Sequence, residues 1–177
     1  MNSHILVSVI SDDKPGVVEA IAESISKLGG NWLESKLSQL SGKFAGVIRV
    51  SIAAESRREL ETALFALESQ GIWVKCEQLS DSKETRASQQ AYVHVLGPDR
   101  PGIVRELSKA LVQRDINLAE LETSLSSMPY SGDPLFEAKG VLQIPEASEL
   151  SDLHTSLDEI ADNLALDISL SETQTEP

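Results

Sequence analysis

The stretch "SDDKPGVVEAIAESISKLGGN", Ser11 to Asn31, returns eighty-six positions later as "GPDRPGIVRELSKALVQRDIN", Gly97 to Asn117. With Asp13 set against Asp99, Pro15 meets Pro101, Gly16 meets Gly102, Val18 meets Val104 and Asn31 meets Asn117. Beyond the segment, Glu34 meets Glu120 and Ser38 meets Ser124. Lys14 faces Arg100, Val17 faces Ile103, Ile21 faces Leu107 and Ile25 faces Leu111, all conservative exchanges. Identity is low, but an acidic–basic–Pro–Gly turn, an apolar stripe at helical spacing and an Asn recur in one register. That is the mark of an internal repeat.

Working outward from the turn gives the elements. "HILVSVI" before it is rich in β-branched residues and reads as a strand. Pro15 suits a first helical position, and Val17, Val18, Ile21, Ala22, Ile25 and Leu28 stripe one helix face. "LGG" ends that helix through the left-handed tolerance of Gly. "NWLESKLSQL" and "FAGVIRVSI" form a hairpin about "SGK". Leu60, Ala63, Leu64 and Leu67 stripe a second helix, and "IWVKCEQL" closes the unit. The second half repeats the order. "AYVHVLG" is a strand, Pro101 to about Gln113 a helix, and "NLAELETSLS" with "FEAKGVLQI" a hairpin. Leu150, Leu153, Leu157, Ile160 and Leu164 stripe a helix, and "LALDISL" ends the pattern.

The expected fold class is α+β: two ferredoxin-like βαββαβ domains in tandem. Each single-striped helix must lie on a sheet, and right-handed crossovers put both helices on one face of a four-stranded antiparallel sheet. The expected boundaries are residues 1–80 for the first domain, 81–90 for a polar linker, 91–171 for the second domain and 172–177 for a flexible tail. Units this small bury only about 60–65% of their unfolded surface. The face away from the helices is expected to carry Leu6, Ser8 and Ile10, and in the second repeat Tyr92, His94 and Leu96. Pairing between the repeats, or a homodimer, would cover these surfaces.

Composition excludes several classes. The chain has 177 residues and a formal net charge of −13, with no Lys/Arg run, which opposes direct nucleic-acid binding. The single Cys76 forms no internal disulfide and suits a reducing, cytoplasmic setting. No secretory signal is read at the N-terminus, and no apolar run reaches the roughly 20 residues of a membrane span. No enzyme, cofactor or metal is expected. His4, His94 and His154 are scattered, and no GxxxxGK loop or GxSxG elbow is present. Cys76 reads as a structural thiol, and Trp32 and Trp73 as core or interface anchors.

The repeated turn admits two readings. Amides at a helix start lack intrahelical partners and the dipole there favours anions. Gly16 and Gly102 allow close approach, Lys14 and Arg100 add positive charge, and Asp13 and Asp99 can receive an ammonium group. An amino-acid zwitterion fits that constellation, provided a neighbouring module supplies a second wall. Asn31 and Asn117 would then offer an amide on a neighbouring edge. Alternatively Asp caps the helix, Pro fixes φ, and the Asn residues accept a left-handed backbone after it.

These motifs, "DKPGVV…GGN" and "DRPGIV…DIN" within βαββαβ units, resemble tandem ACT-domain proteins. Two such units without an attached enzyme, and the longer hairpin "SSMPYSGDPLFEAKG", resemble the glycine cleavage system transcriptional repressor family. The resemblance implies a small amino acid, glycine foremost, bound near the first strand–helix turn. It implies repression by contact with a LysR-type activator rather than by gripping DNA. Carried over residue by residue, it points to Asp13, Lys14, Pro15, Gly16 and Asn31, and to Asp99, Arg100, Pro101, Gly102, Ile103 and Asn117. Ser11-Asp12 stands where the second repeat has Gly97-Pro98, so the two turns are not equivalent. Met128, Tyr130 and Phe136 of the long hairpin loop are expected to be exposed, as a lid over the ligand or a partner contact; the alternative is a longer turn packed on its own domain.

Overall fold

Along the first strand, Ile5, Val7 and Val9 are buried while Leu6, Ser8 and Ile10 are not, so period-two alternation divides a helix-covered face from an open one. The computed structural model describes residues 2–79, 88–129, 131–145 and 150–171, which fall into two units, Met1–Lys83 and Glu84–Pro177.

In the first unit the order is β1 (Asn2–Asp12), α1 (Val17–Lys27), β2 (Asn31–Leu40), β3 (Lys43–Ala53), α2 (Arg57–Ala66) with a 3₁₀ turn (Leu67–Gln70), and β4 (Ile72–Gln78). The sheet order is β2-β3-β1-β4, every pair antiparallel. The second unit has β5 (Ser88–Pro98), α3 (Ile103–Val112), β6 (Asn117–Ser127), β7 (Pro134–Pro145), α4 (Leu150–Leu164) and β8 (Asp167–Ser171), in sheet order β6-β7-β5-β8. Both are the expected ferredoxin-like arrangement. Among the described residues no helix is long and apolar enough to cross a membrane.

Each unit has its own core. Val17, Ile21 and Ile25 of α1 and Leu60 and Leu64 of α2 pack on Ile5, Val7 and Val9. In the second unit Ile103, Leu107 and Leu111 of α3 and Leu153 and Leu157 of α4 pack on Ala91, Val93 and Val95. The expected linker is shorter than its 81–90 range. Ser88, Gln89 and Gln90 already belong to β5, registered against Pro145, Ile144 and Gln143. The remainder of that range and the tail lie outside the described residues.

Helix ends are set by backbone geometry. After α1, Gly29 takes φ 74°, its N–H donates to Ser26 O (3.0 Å), and the Gly30 N–H donates to Ile25 O (2.9 Å). These are the two bonds of a Schellman ending. After α3 the same bonds run from Asp115 to Val112 O and from Ile116 to Leu111 O, with Asp115 at φ 56°. The left-handed residues are therefore Gly29 and Asp115. Asn31 and Asn117 are strand residues, which corrects the expectation that they absorb that conformation.

Candidate functional site

Both turns are built alike. α1 begins at Val17 behind an N-cap Gly16 with φ 95° and ψ −8°; α3 begins at Ile103 behind Gly102 with φ 104° and ψ −8°. These are third-residue angles of a type II turn, for which Pro is favoured at the second position and Gly at the third. Pro15 therefore belongs to the turn and not to the first helical position, and Asp13 is not the cap: neither helix start carries a side-chain cap bond. The glycines are needed because an L side chain is strained at this φ, not because space is short. A Cβ at either would meet nothing within 4 Å. The first intrahelical donors are Ala20, bonding to Gly16 O, and Glu106, bonding to Gly102 O, each at 2.9 Å. The amides ahead of them point out of the helix end.

The aspartates anchor the turns through the backbone. The Asp13 N–H donates to Gly42 O (2.9 Å) and the Asp99 N–H to Pro134 O (3.0 Å), so each turn is tied to the turn end of the neighbouring hairpin. Both carboxylates lie at exposed positions. The basic residues are used differently. Lys14 Nζ donates to Gln70 O (2.7 Å), clasping the first turn to the loop that precedes β4. Arg100 holds the matching position half-buried. Asp12 pairs with Lys43 across the strands; that hydrogen bond and then the Lys43 charge hold its carboxyl below the usual range. The second unit has Pro98 there. Gly97 stands where Ser11 is buried because Leu166 packs in: a Cβ on Gly97 would lie 2.7 Å from Leu166 Cδ2.

Asn31 and Asn117 do not join these turns within a unit. Asn31 pairs with Ser51, which pairs with His4, eight rungs of β1 from Asp12. At about 3.3 Å per residue the separation is roughly 26 Å. Asn117 pairs with Gln143, which pairs with Gln90, again eight rungs from Pro98, and its Nδ2 donates to Gln143 Oε1 (2.9 Å). The cause is directional: α1 and α3 run back along the sheet and deliver the next strand at its opposite end. In the long hairpin, Met128 is half-buried, its N–H donating to Asp133 O and its carbonyl accepting from Gly132. Phe136 is only 8% exposed and sits in the second core, against the expectation of an exposed contact. Tyr130 lies outside the described residues.

Two features escaped the sequence reading. On the open face of the second unit, His94 Nε2 lies 2.8 Å from Glu137 Oε1, and Lys139 Nζ lies 3.3 Å from the same oxygen. The His94 and Lys139 hydrogen bonds hold the Glu137 carboxyl below its usual range. The other is the Lys14 clasp, between residues 56 apart in the chain. Burial, then the nearby Glu61, pushes the Cys76 thiol up to about 11, the opposite of an activated nucleophile. Among the described residues no group of three or more His, Cys, Asp and Glu side chains could hold a metal ion.

Comparison with known proteins bears on this geometry. Residues 3–77 match the ACT-domain family model. No curated protein matches the chain. Among solved structures, an unknown protein from Galdieria sulphuraria is 25% identical, with a TM-score of 0.82 over 98% of this chain and 100% of that one. A candidate glycine cleavage system transcriptional repressor is 19% identical, with a TM-score of 0.69 over 97% of each chain, a likeness of fold. Residues 3–77 of the first unit thus match the ACT-domain family, the second unit repeats the same βαββαβ architecture, and the chain has a tandem ACT fold.

Proposed function

We propose that this protein is an amino-acid-responsive regulator, not an enzyme, whose ligand docks at a strand-to-helix turn. The observation that carries the reading is the doubled helix start. Two left-handed glycines each precede helix amides that no side chain caps, with a basic residue two positions earlier. An α-carboxylate accepts hydrogen bonds from such amides, and an exposed aspartate beside them receives the α-ammonium. The second turn is the stronger candidate, because Lys14 in the first is engaged with Gln70 O. Helix-end interactions at exposed sites are worth only about 0.3–1 kcal/mol per charge, so the bound state needs a wall that the turn does not itself supply. Glycine is the proposed ligand. Repression of the glycine cleavage system through contact with a LysR-type activator is the proposed output, drawn from the family resemblance and from the fold shared with the candidate repressor. The acidic chain, at −13, is in keeping with an output through protein contact.

Calorimetry of the full chain with glycine and a panel of other amino acids tests this. Saturable heat with glycine is expected, and its loss in Gly102→Val. Normal binding by a folded variant would remove the turn as the site. Silence with every amino acid would favour a second reading, a ligand-free assembly module, for which the Lys14 clasp already supplies a structural role at the first turn.

A further inference from the structure

An antiparallel sheet with one face in water normally alternates apolar-in and polar-out. The first unit departs from this at one end of its open face. Ile10 is 49% exposed, its β4 partner Trp73 46%, and Val47, one rung along on β3, 38%. Ala45 lies between them in register. The corresponding face of the second unit is acidic: Glu120, Glu122, Glu137 and Asp167 stand with Lys139 and His94 about Tyr92 and Leu96.

The charge around the apolar patch says what covers it. The same rows carry Lys36, Lys43, Arg49 and Lys75 against Asp12, Glu34 and Glu77, so the face is near neutral on a chain of −13. The cations of this face are already engaged, as in the Lys43–Asp12, Arg49–Glu34 (2.9 Å) and Lys75–Glu77 pairs within it. A polyanion or an acidic peptide would need cations free to meet it. A two-fold interface instead sets each patch against itself, which a self-complementary surface of little net charge satisfies. Most of this chain would repel a copy of itself, and this face would not.

We propose that a second copy of the chain docks, two-fold, on the open face of the first unit, with Ile10 and Trp73 of each copy at its centre. The interface lies on the sheet face away from the helices and does not depend on ligand at the turn. Sedimentation velocity of the full chain from about 1 to about 100 µM should show a monomer–dimer equilibrium, the range in which a micromolar complex is half assembled. Trp73→Lys and Ile10→Lys should each weaken it by at least about 30-fold, the scale of a central aromatic anchor. Leu125→Lys, on the exposed β6 edge, should leave it unchanged. In Trp32→Phe the remaining tryptophan is Trp73, whose emission should shift to the blue as dimer forms. A monomer at every concentration, a dimer indifferent to both lysine variants, or a dimer in which Trp73 stays water-exposed would overturn the proposal.

Discussion

Gly16→Ala is the most direct test of the turn. The residue sits at φ 95°, where an L side chain crowds its own backbone, and a Cβ there meets no other atom within 4 Å. The cost is therefore conformational, with no cavity or clash added, and the left-handed region costs a non-glycine residue about 1–2 kcal/mol. At about 4–8 °C per kcal/mol for a domain of this size, the first unit should melt roughly 4–16 °C lower. Gly16→Asn should lose less, since Asn tolerates this region, and Gly16→Val more, since β-branching aggravates it. The assay reads one unit alone. Trp32 and Trp73 both belong to the first unit, whereas Tyr92 and Tyr130 belong to the second. Thermal unfolding followed by tryptophan emission thus reports the first unit. An unmoved or raised midpoint for Gly16→Ala would refute the argument, for the turn would then relax to negative φ at no cost.

Two further outcomes follow from the packing. Phe136→Ala should destabilise the second unit by about 3–5 kcal/mol in denaturant titrations followed by far-UV circular dichroism, as expected of an aromatic 8% exposed within a core. Met128→Ala in the same hairpin should cost under about 1 kcal/mol, and equal losses would contradict the core placement. For Cys76 the folded thiol titrates at about 11 against an ordinary value of 9.0, so the unfolded chain ionises first. Its contribution is whole below pH 9 and is lost as pH rises through 11. The stability difference between the wild type and Cys76→Ala should therefore shrink over that interval, and iodoacetamide at pH 8 should label the native thiol slowly. A difference that stays constant or grows would refute the raised thiol.

The element order was legible because the stripes and glycines obey local rules. α1 and β2 end where "LGG" and "SG" say they must, and the helix-facing residues of β1 follow from alternation alone. What was misread came from giving one residue's role to its neighbour. Asp13 looked like a cap, yet Pro15-Gly16 forms the turn and Gly16 occupies the cap position. Phe136 reads both as the start of a strand and as an exposed loop contact, yet it continues the buried alternation of Ala138, Leu142 and Ile144, so the strand reading alone already implied its burial. The separation of Asn31 from the turn was derivable too, since a helix returning along a strand ends at the strand's start. The Lys14–Gln70 clasp was not derivable, because it joins residues brought together only by the closed sheet.

The duplication separates what the fold requires from what it leaves open. Proline and glycine recur in both turns because a type II turn favours the first and its positive φ selects the second, so their recurrence alone is weak evidence of a ligand. The buried stripes recur for the same kind of reason. The basic residue is different: nothing in the turn's backbone geometry requires a cation at position 14 or 100. In the first unit that cation has been taken up by a backbone carbonyl, and the turn has gained Asp12 and Lys43 beside it. In the second, a proline replaces Asp12 and the cation is an arginine, whose planar fork suits a carboxylate. The open faces have parted in the same way, one near neutral and apolar at its centre, the other acidic. Positions free of the fold's demands are where two copies of one frame can take up two tasks. The two proposals, self-association through the first unit and ligand recognition at the second, therefore rest on these differences and not on the shared motif.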